Sequence, residues 1–246
     1  MNNFHTLPND SKRVIIEQTA LKQGLSKQIV EKDLWVSTIL EIVFTLPFAD
    51  KLVFKGGTSL SKVWGLIERF SEDIDLAVDR SLFGFEGDLT TKQIKKLRKA
   101  SSLFVSNEFY IELKAAITKF NLEKFIELEV QPDGEGDKTY PEPRQIFIKY
   151  QSLFEAELSY VKPQIILEIG ARSLFEPTEK ARINSIVATE FPNLQTSVVS
   201  TDITTAVAAK TFLEKAFLLH ELFTTNGCSK AERKSRHLYD LERMMD

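Results

Sequence analysis

The 246-residue chain is poor in the residues that build several familiar kinds of site. It has one cysteine, Cys228, which excludes an internal disulfide and a cysteine-rich zinc centre. Its three histidines are scattered, which argues against a histidine-rich metal site of the kind many phosphohydrolases use. No apolar run approaches the roughly 18 residues that a membrane helix needs. The opening stretch, MNNFHTLPND, has no charged-then-apolar signal pattern, so the cytoplasm is the expected location. A net charge of −3 exerts no global pull toward nucleic acid, and any such surface must be a local patch. Neither repeats nor low-complexity tracts occur. What is present is ordinary: 43% hydrophobic and 27% charged residues, enough chain for one large domain or two small ones.

Within this unremarkable background one stretch carries chemistry. Leu52–Val78 reads strand, glycine turn, helix, strand. Leu52-Val53-Phe54 is a short apolar run, and Gly56-Gly57-Thr58-Ser59 is a turn that lets backbone approach a ligand. Leu60, Val63, Trp64 and Ile67 follow at helical spacing. Asp73-Ile74-Asp75-Leu76-Ala77-Val78 then resumes period two, so Asp73 and Asp75 project together while Ile74 and Leu76 point to the core. Two adjacent carboxylates repel, and a shared hard cation such as Mg2+ is the usual remedy. A turn with free N–H groups beside such a pair suits phosphate.

The rest of the chain reads mostly as helix and strand. Residues 10–23 form a helix capped by Asp10-Ser11 and stopped by Gly24, and Ser26 caps a second helix over about 27–45, which contains Glu31-Lys32-Asp33-Leu34-Trp35. Thr90-Thr91 caps a long helix broken near Ser106-Asn107, and its Lys92, Lys95, Lys96, Arg98 and Lys99 form either a solvated face or a phosphate-backbone contact. Phe125–Val130 and Gln145–Tyr150 read as a hairpin, and Ile165–Ile169 as an apolar strand holding one acid, Glu168. A polar connection is expected from Phe175 to Thr201, then helices over 204–223 and 231–245. In the first of these, Phe212, Leu213, Ala216, Phe217 and Leu219 form the apolar face, with Glu214 and Lys215 off its centre. Trp35 and Trp64 read as core, and His220 and His237 as hydrogen-bonded structural residues.

An unpaired acid inside IILEI is costly to bury. Glu168 therefore faces solvent on an edge strand, pairs with Arg172, or completes a metal-binding triad with Asp73 and Asp75. Such a triad fits in-line phosphoryl transfer, in which one acid takes the proton of the incoming hydroxyl. Ser59 and the Gly56-Gly57 amides would hold the triphosphate, and Lys55 and Lys215 would neutralise developing charge. Arg69 either pairs with Glu72 or Asp73 or positions the acids and phosphates. Arg233, Lys234, Arg236 and Arg243 cluster around Asp240.

FKGGTSL followed by RFSEDIDL resembles the nucleotidyltransferase core of the AbiEii/AbiGii toxin family, a branch of the DNA polymerase β-like superfamily. EKDLWV (31–36), TFLEKAFLLHEL (211–222) and SRHLYDL (235–241) match in the same order. The resemblance implies that Gly57, Thr58 and Ser59 grip the nucleotide phosphates, that Asp73 and Asp75 bind metal, that Lys215 contacts the nucleotide, and that Asp240 is the C-terminal catalytic aspartate. Glu168 fits the superfamily's third acid by pattern.

The expected fold is α/β (α+β). A small mixed sheet carries the acids, flanked by N-terminal helices, in a core over residues 1–200; a C-terminal helical part over 201–246 completes the cleft. The expected activity is a Mg2+- or Mn2+-dependent transfer of NMP from an NTP to an acceptor, tRNA or other RNA or a protein hydroxyl. The resemblance implies a toxin of a toxin–antitoxin or abortive-infection system with a cognate antitoxin. The alternative is a non-catalytic nucleotide- or partner-binding module on the same fold.

Overall fold

The structure is a computed structural model that describes residues 4–69, 71, 73–135, 138–154, 161–193, 200–224 and 235–245. Glu72, Cys228, Arg233, Lys234 and the start of the last expected helix lie outside the described residues. Two helices open the chain, α1 (Asn9–Gln23) and α2 (Lys27–Val43). Gly24 ends α1 in the left-handed conformation (φ +63°), and the Ser26 side chain caps α2 by accepting from Ile29 N. α1 begins before the expected Asp10-Ser11 cap, directly after Pro8, whose restricted φ suits a helix entry.

Strand β1 (Leu52–Lys55) runs straight into α3 (Gly56–Lys62), and β2 (Asp73–Val78) follows. Helices α4 (Thr91–Phe104) and α5 (Tyr110–Lys119) are joined by a π-helical turn, Val105–Phe109, at the expected break. Lys92, Lys95, Lys96 and Lys99 of α4 are exposed around the buried anchor Leu97. Strands β3 (Ile126–Val130), β4 (Arg144–Tyr150) and β5 (Gln164–Gly170) come next, then β6 (Thr178–Asn184), α6 (Ile186–Glu190) and β7 (Ser200–Ala206). Helices α7 (Ala208–Thr224) and α8 (Ser235–Met245) close the chain.

The sheet is mixed, as expected, and has seven strands in the order β3-β4-β5-β2-β1-β7-β6. β2 is parallel to β5, β1 is parallel to β7, and the other neighbours are antiparallel. One face is the core. Leu52, Phe54, Ile74, Leu76, Val78, Ile146, Ile148, Ile165, Leu167 and Ile169 pack there with Val36, Ile39 and Val43 of α2 and with Phe104, Phe109 and Leu113. Among the described residues, the other face carries a small apolar group around Val53, Ala77 and Ala206. The polar residues of the central strands are left on it.

Three expectations from the sequence change. The helix after the glycine turn starts at Gly56 itself and ends at Lys62, so Val63, Trp64 and Ile67 lie beyond it. Gly65, left-handed at φ +61°, turns the chain away. The connection expected over 175–201 instead holds β6, α6 and the start of β7. β6 is a polar edge strand, TEKARIN, with its charges outward, and such strands lack the alternation that marks half-buried ones. Thr204 and Thr205, expected to begin a helix, belong to β7, and the terminal helices begin at Ala208. Threonine's β-branched side chain suits the pleated surface better than a helix.

The EKDLW segment of α2 acts as a set of bolts. Glu31 accepts from Leu153 N at 2.7 Å and from the Ser152 hydroxyl at 2.6 Å. Lys32 Nζ donates to Lys162 O at 3.0 Å. Asp33 pairs through Oδ1 with Lys62 at the end of α3, and its Oδ2 accepts from Ile186 N at the start of α6, 2.7 Å away. Trp35 is buried and stacks between His5 and Tyr150. The Asp33–Lys62 pair, both side chains 8% exposed, ties the glycine helix to the core. Removing one partner of such a pair leaves the other charge buried, at a cost of about 3 to 5 kcal/mol. Asp33→Ala is expected to destabilise the fold by about that amount in urea unfolding. Asp202→Ala, which breaks the exposed Arg182–Asp202 pair, is expected to leave the urea midpoint nearly unchanged. Equal losses would contradict the assignment.

Candidate active site

The acids come together through strand register. Asp75 stands opposite Lys55 of β1 on one side and opposite Glu168 of β5 on the other. Glu168 in turn faces Gln145 of β4, whose Nε2 donates to Glu168 Oε1 at 2.5 Å. Asp73, two residues before Asp75 on the same strand, shares the face. Four adjacent strands thus present Lys55, Asp75, Glu168 and Gln145 in a row. Burial pushes the Asp75 carboxyl up from 3.8 to about 7; the Glu168 charge adds to this, Lys55 opposes it, Asp73 adds and Lys215 opposes. Glu168 is neither on an edge strand nor paired with Arg172, which stands instead near Glu142.

The glycine turn closes over Asp75. Gly56 has φ +79°, and a Cβ there would lie 1.9 Å from Asp75 Oδ2, so no other residue fits. A Cβ on Gly57 would meet Arg69 Nη2 at 2.9 Å and Ser71 Oγ at 3.0 Å. Thr58 and Ser59 are fully buried. The Thr58 hydroxyl donates to Asp73 O and the Ser59 hydroxyl to Gly56 O. Thr58 thus braces the turn against the acid strand, and Ser59 closes the turn on itself.

The terminal helices bring the charges that face this turn. α7 buries Thr211, Lys215 and Leu219 and leaves Leu213, Phe217, Leu218 and Phe223 exposed. Of the expected apolar face, Leu219 is buried and Phe212 and Ala216 are half-buried, while Leu213 and Phe217 turn outward, because the inward side of α7 meets a polar site. Lys215 Nζ lies 2.9 Å from Asp240 Oδ2 and within 3.5 Å of His237 Nδ1. Asp240, fully buried on α8, also receives Arg69 Nε and Nη2, one on each oxygen, both at 2.6 Å. Burial works to raise the Asp240 carboxyl, but the bonds from Arg69 and Lys215 outweigh it and hold it below the usual range. Arg69 thus pairs with Asp240, a partner far along the chain, and Glu72, one of its expected partners, lies outside the described residues. Arg236 approaches Asp73, with Nη1 3.9 Å from Oδ2, and Arg243 reaches Glu68 at 3.4 Å. Lys55 Nζ is held by Glu214 of α7 at 2.8 Å, and Ser173 Oγ donates to the other oxygen of Glu214 at 2.5 Å.

The donor set suits a hard divalent cation, since Asp73, Asp75 and Glu168 supply only oxygen and no thiolate or imidazole stands among them. Among the described residues no three His, Cys, Asp or Glu side chains already converge on one metal position. Gathering the three carboxylates around a cation therefore requires rotation of side chains that now repel one another. His220 is exposed.

The structure brings Lys55, Gly56, Gly57, Thr58, Ser59, Arg69, Asp73, Asp75, Glu168, Lys215 and Asp240 into one region. Sequence reasoning missed Gln145, Glu142, Ser173 and Glu214. Gln145 alone left a local signal, as a polar residue in period two with the apolar Ile146 and Ile148; the others sit on loops and a helix whose approach to the sheet no local pattern reveals.

A family model described as nucleotidyl transferase AbiEii toxin, type IV toxin–antitoxin system, matches residues 38–246. α1 and the EKDLW segment precede the match. Among solved structures, the chain is similar to MenT4, a nucleotidyltransferase toxin from Mycobacterium tuberculosis H37Rv, at 18% sequence identity and a TM-score of 0.45, over 83% of this chain. The chain spans 57% of the length of that relative. No curated protein matches.

The raised Asp75 carboxyl has a consequence for stability. It titrates near 7 in the fold and near 3.8 when unfolded, so the folded chain holds an extra proton between those values. Folding stability therefore falls as pH rises across that window. In EDTA at pH 8, Asp75→Asn is expected to raise the melting temperature by a few degrees. The gain should shrink toward pH 4 and vanish below about pH 3, where the carboxyl is protonated in both states. A melting temperature lowered at pH 8 would contradict the crowding of charge at Asp75.

Proposed function

This chain belongs to the AbiEii nucleotidyltransferase toxin family, and we propose that it moves a nucleoside monophosphate from an NTP to an acceptor hydroxyl, releasing pyrophosphate. The observation that carries the reading is the register that sets Asp75 between Lys55 and Glu168 with the glycine turn closed over it.

In this reading the acceptor oxygen attacks the α-phosphorus, the bond from that phosphorus to the α–β bridging oxygen breaks, and pyrophosphate departs. Asp73, Asp75 and Glu168 would hold Mg2+ or Mn2+, which supplies charge stabilisation to the attacking and leaving oxygens. The triphosphate lies along the Gly56–Ser59 turn, facing Lys215, Arg69 and Arg236. Lys215 and Arg69, already oriented by Asp240, meet the added charge of the leaving pyrophosphate. Asp240 is a positioning residue that fixes both cations. Glu168, with Oε1 held by Gln145, takes the acceptor proton on Oε2.

We assign RNA, tRNA foremost, as the acceptor, and a cognate antitoxin as the partner protein. The exposed lysines of α4 offer a local basic surface for a phosphate backbone. A second reading, a non-catalytic nucleotide- or partner-binding module, draws on one observation: Lys55 and Lys215 are both engaged by carboxylates, Glu214 and Asp240.

Incubation of the purified chain with each α-labelled NTP, Mg2+ and total RNA decides between them. The expected result is label on RNA with at least one NTP. Asp73→Ala should lower the rate by about a thousandfold or more while the far-ultraviolet dichroism is unchanged. Nucleotide binding without transfer to RNA or protein would favour the second reading.

A further inference from the structure

A carboxylate outside the acid row is built into the structure with half of its bonding capacity unused. Glu142 precedes β4, and its side chain is 1% exposed. Its Oε1 accepts from Ala171 N at 2.6 Å and Arg172 N at 3.2 Å, just past the end of β5. Room for it comes from Gly170, which stands two residues beyond Glu168 on the same face; a Cβ there would meet Glu142 Oε1 at 2.7 Å. The other oxygen, Oε2, is buried and has no hydrogen-bond partner among the described residues. Arg172 Nε stands 4.0 Å from it, too far for a hydrogen bond. Leaving a buried acceptor without a donor is costly, and such a group marks the place of a missing donor.

Glu142 lines a cavity of about 240 Å³ that also takes in Asp75, Glu168, Lys55, Arg172 and Ser173. Asp73, Gly57, Arg69, Lys215 and Arg236 are not part of its wall. The acid row therefore has two sides. The glycine turn and the cations of α7, α8 and Arg69 lie on one, and the cavity with Glu142 lies on the other. In an in-line displacement the nucleophile enters opposite the leaving group. With the triphosphate on the cationic side, the cavity is left to the acceptor.

We propose that this cavity seats the terminal ribose of an RNA acceptor, and that Glu142 Oε2 accepts a hydrogen bond from its 2′-hydroxyl while the 3′-hydroxyl attacks beside Asp75 and Glu168. The proposal rests on the nucleotidyltransferase reading. Its chemistry is specific to ribose. The reacting oxygen must lie at the acids, and the donor must lie beside it at Glu142. Vicinal hydroxyls supply that pair, whereas a serine, threonine or tyrosine side chain supplies only one hydroxyl. Arg172, largely exposed at the rim, suits the adjoining phosphate. The 3′-oxygen forms the new bond to the α-phosphorus, pyrophosphate leaves, and the 3′-proton passes to Glu168; Glu142 takes no proton.

The test compares a tRNA transcript ending in ribose with the same transcript ending in 2′-deoxyribose. Loss of the donor to a buried acceptor predicts a preference of about tenfold to a hundredfold in kcat/KM for the ribose end. Glu142→Gln should bring the preference within about threefold while the affinity for a non-hydrolysable NTP analogue is retained. Equal use of the two transcripts by the native protein overturns the proposal without recourse to any variant. So does a preference that survives in Glu142→Gln, or label recovered on protein alone. If the native protein binds NTP but transfers to neither transcript, the nucleotidyltransferase reading fails. Equilibrium binding then decides for the site by itself: about tenfold tighter binding of the ribose-ended transcript supports it, and equal binding overturns it.

Discussion

Repulsion among carboxylates on one sheet face is the constraint on which the rest of the structure depends. Asp75 cannot move away from Glu168, because the two are register partners on parallel strands, nor from Asp73, which shares its strand. It is pressed from above by the turn at Gly56. A fold that only needed to be stable would place an apolar residue at such a position, as it does at Ala77 two residues on. The cost of confining charge there is understandable if a cation and a polyanion complete the site, since each would convert repulsion into attraction.

A second buried carboxylate organises the opposite wall. Asp240 receives two bonds from Arg69 and one from Lys215, so a residue on the final helix joins the segment after the glycine turn to α7. One charged group thereby sets the position of two cations and ties the terminal helices to the sheet. The pair Lys55–Glu214 repeats the theme on the neighbouring strand. Both contacts draw α7 inward by its polar side, and so its phenylalanines at 217 and 223 remain outside. Asp33, bonded to Lys62, anchors the far end of α3, which leaves the turn braced at both of its ends.

The parts of this arrangement that were legible in the sequence are those set by local periodicity. Asp73 and Asp75 point together because they are two residues apart on a strand, and Ile74 and Leu76 betray the opposite face. Glu168 stood out as one acid in an apolar run. Its alignment with Asp75 was not legible, because register between strands joined by nearly a hundred residues is decided by the packing of the whole core. Arg69 and Asp240 lie 171 residues apart, and nothing local announces their pairing. β6 and β7 were hidden by their polarity, and the buried face of α7 was misjudged because hydrophobicity identifies the inward side only when what lies inside is apolar. Glu142 left no trace, since a single glutamate in a loop is among the commonest of surface features.

In the proposed function the three carboxylates and the glycine turn form one site for metal and nucleotide. Anomalous diffraction from crystals grown with Mn2+ and a non-hydrolysable NTP analogue tests it most directly. Manganese density is expected between Asp73, Asp75 and Glu168, with the triphosphate along the Gly56–Ser59 turn beside Lys215. Manganese and nucleotide bound elsewhere on the chain, with the three carboxylates left without a ligand, would contradict it.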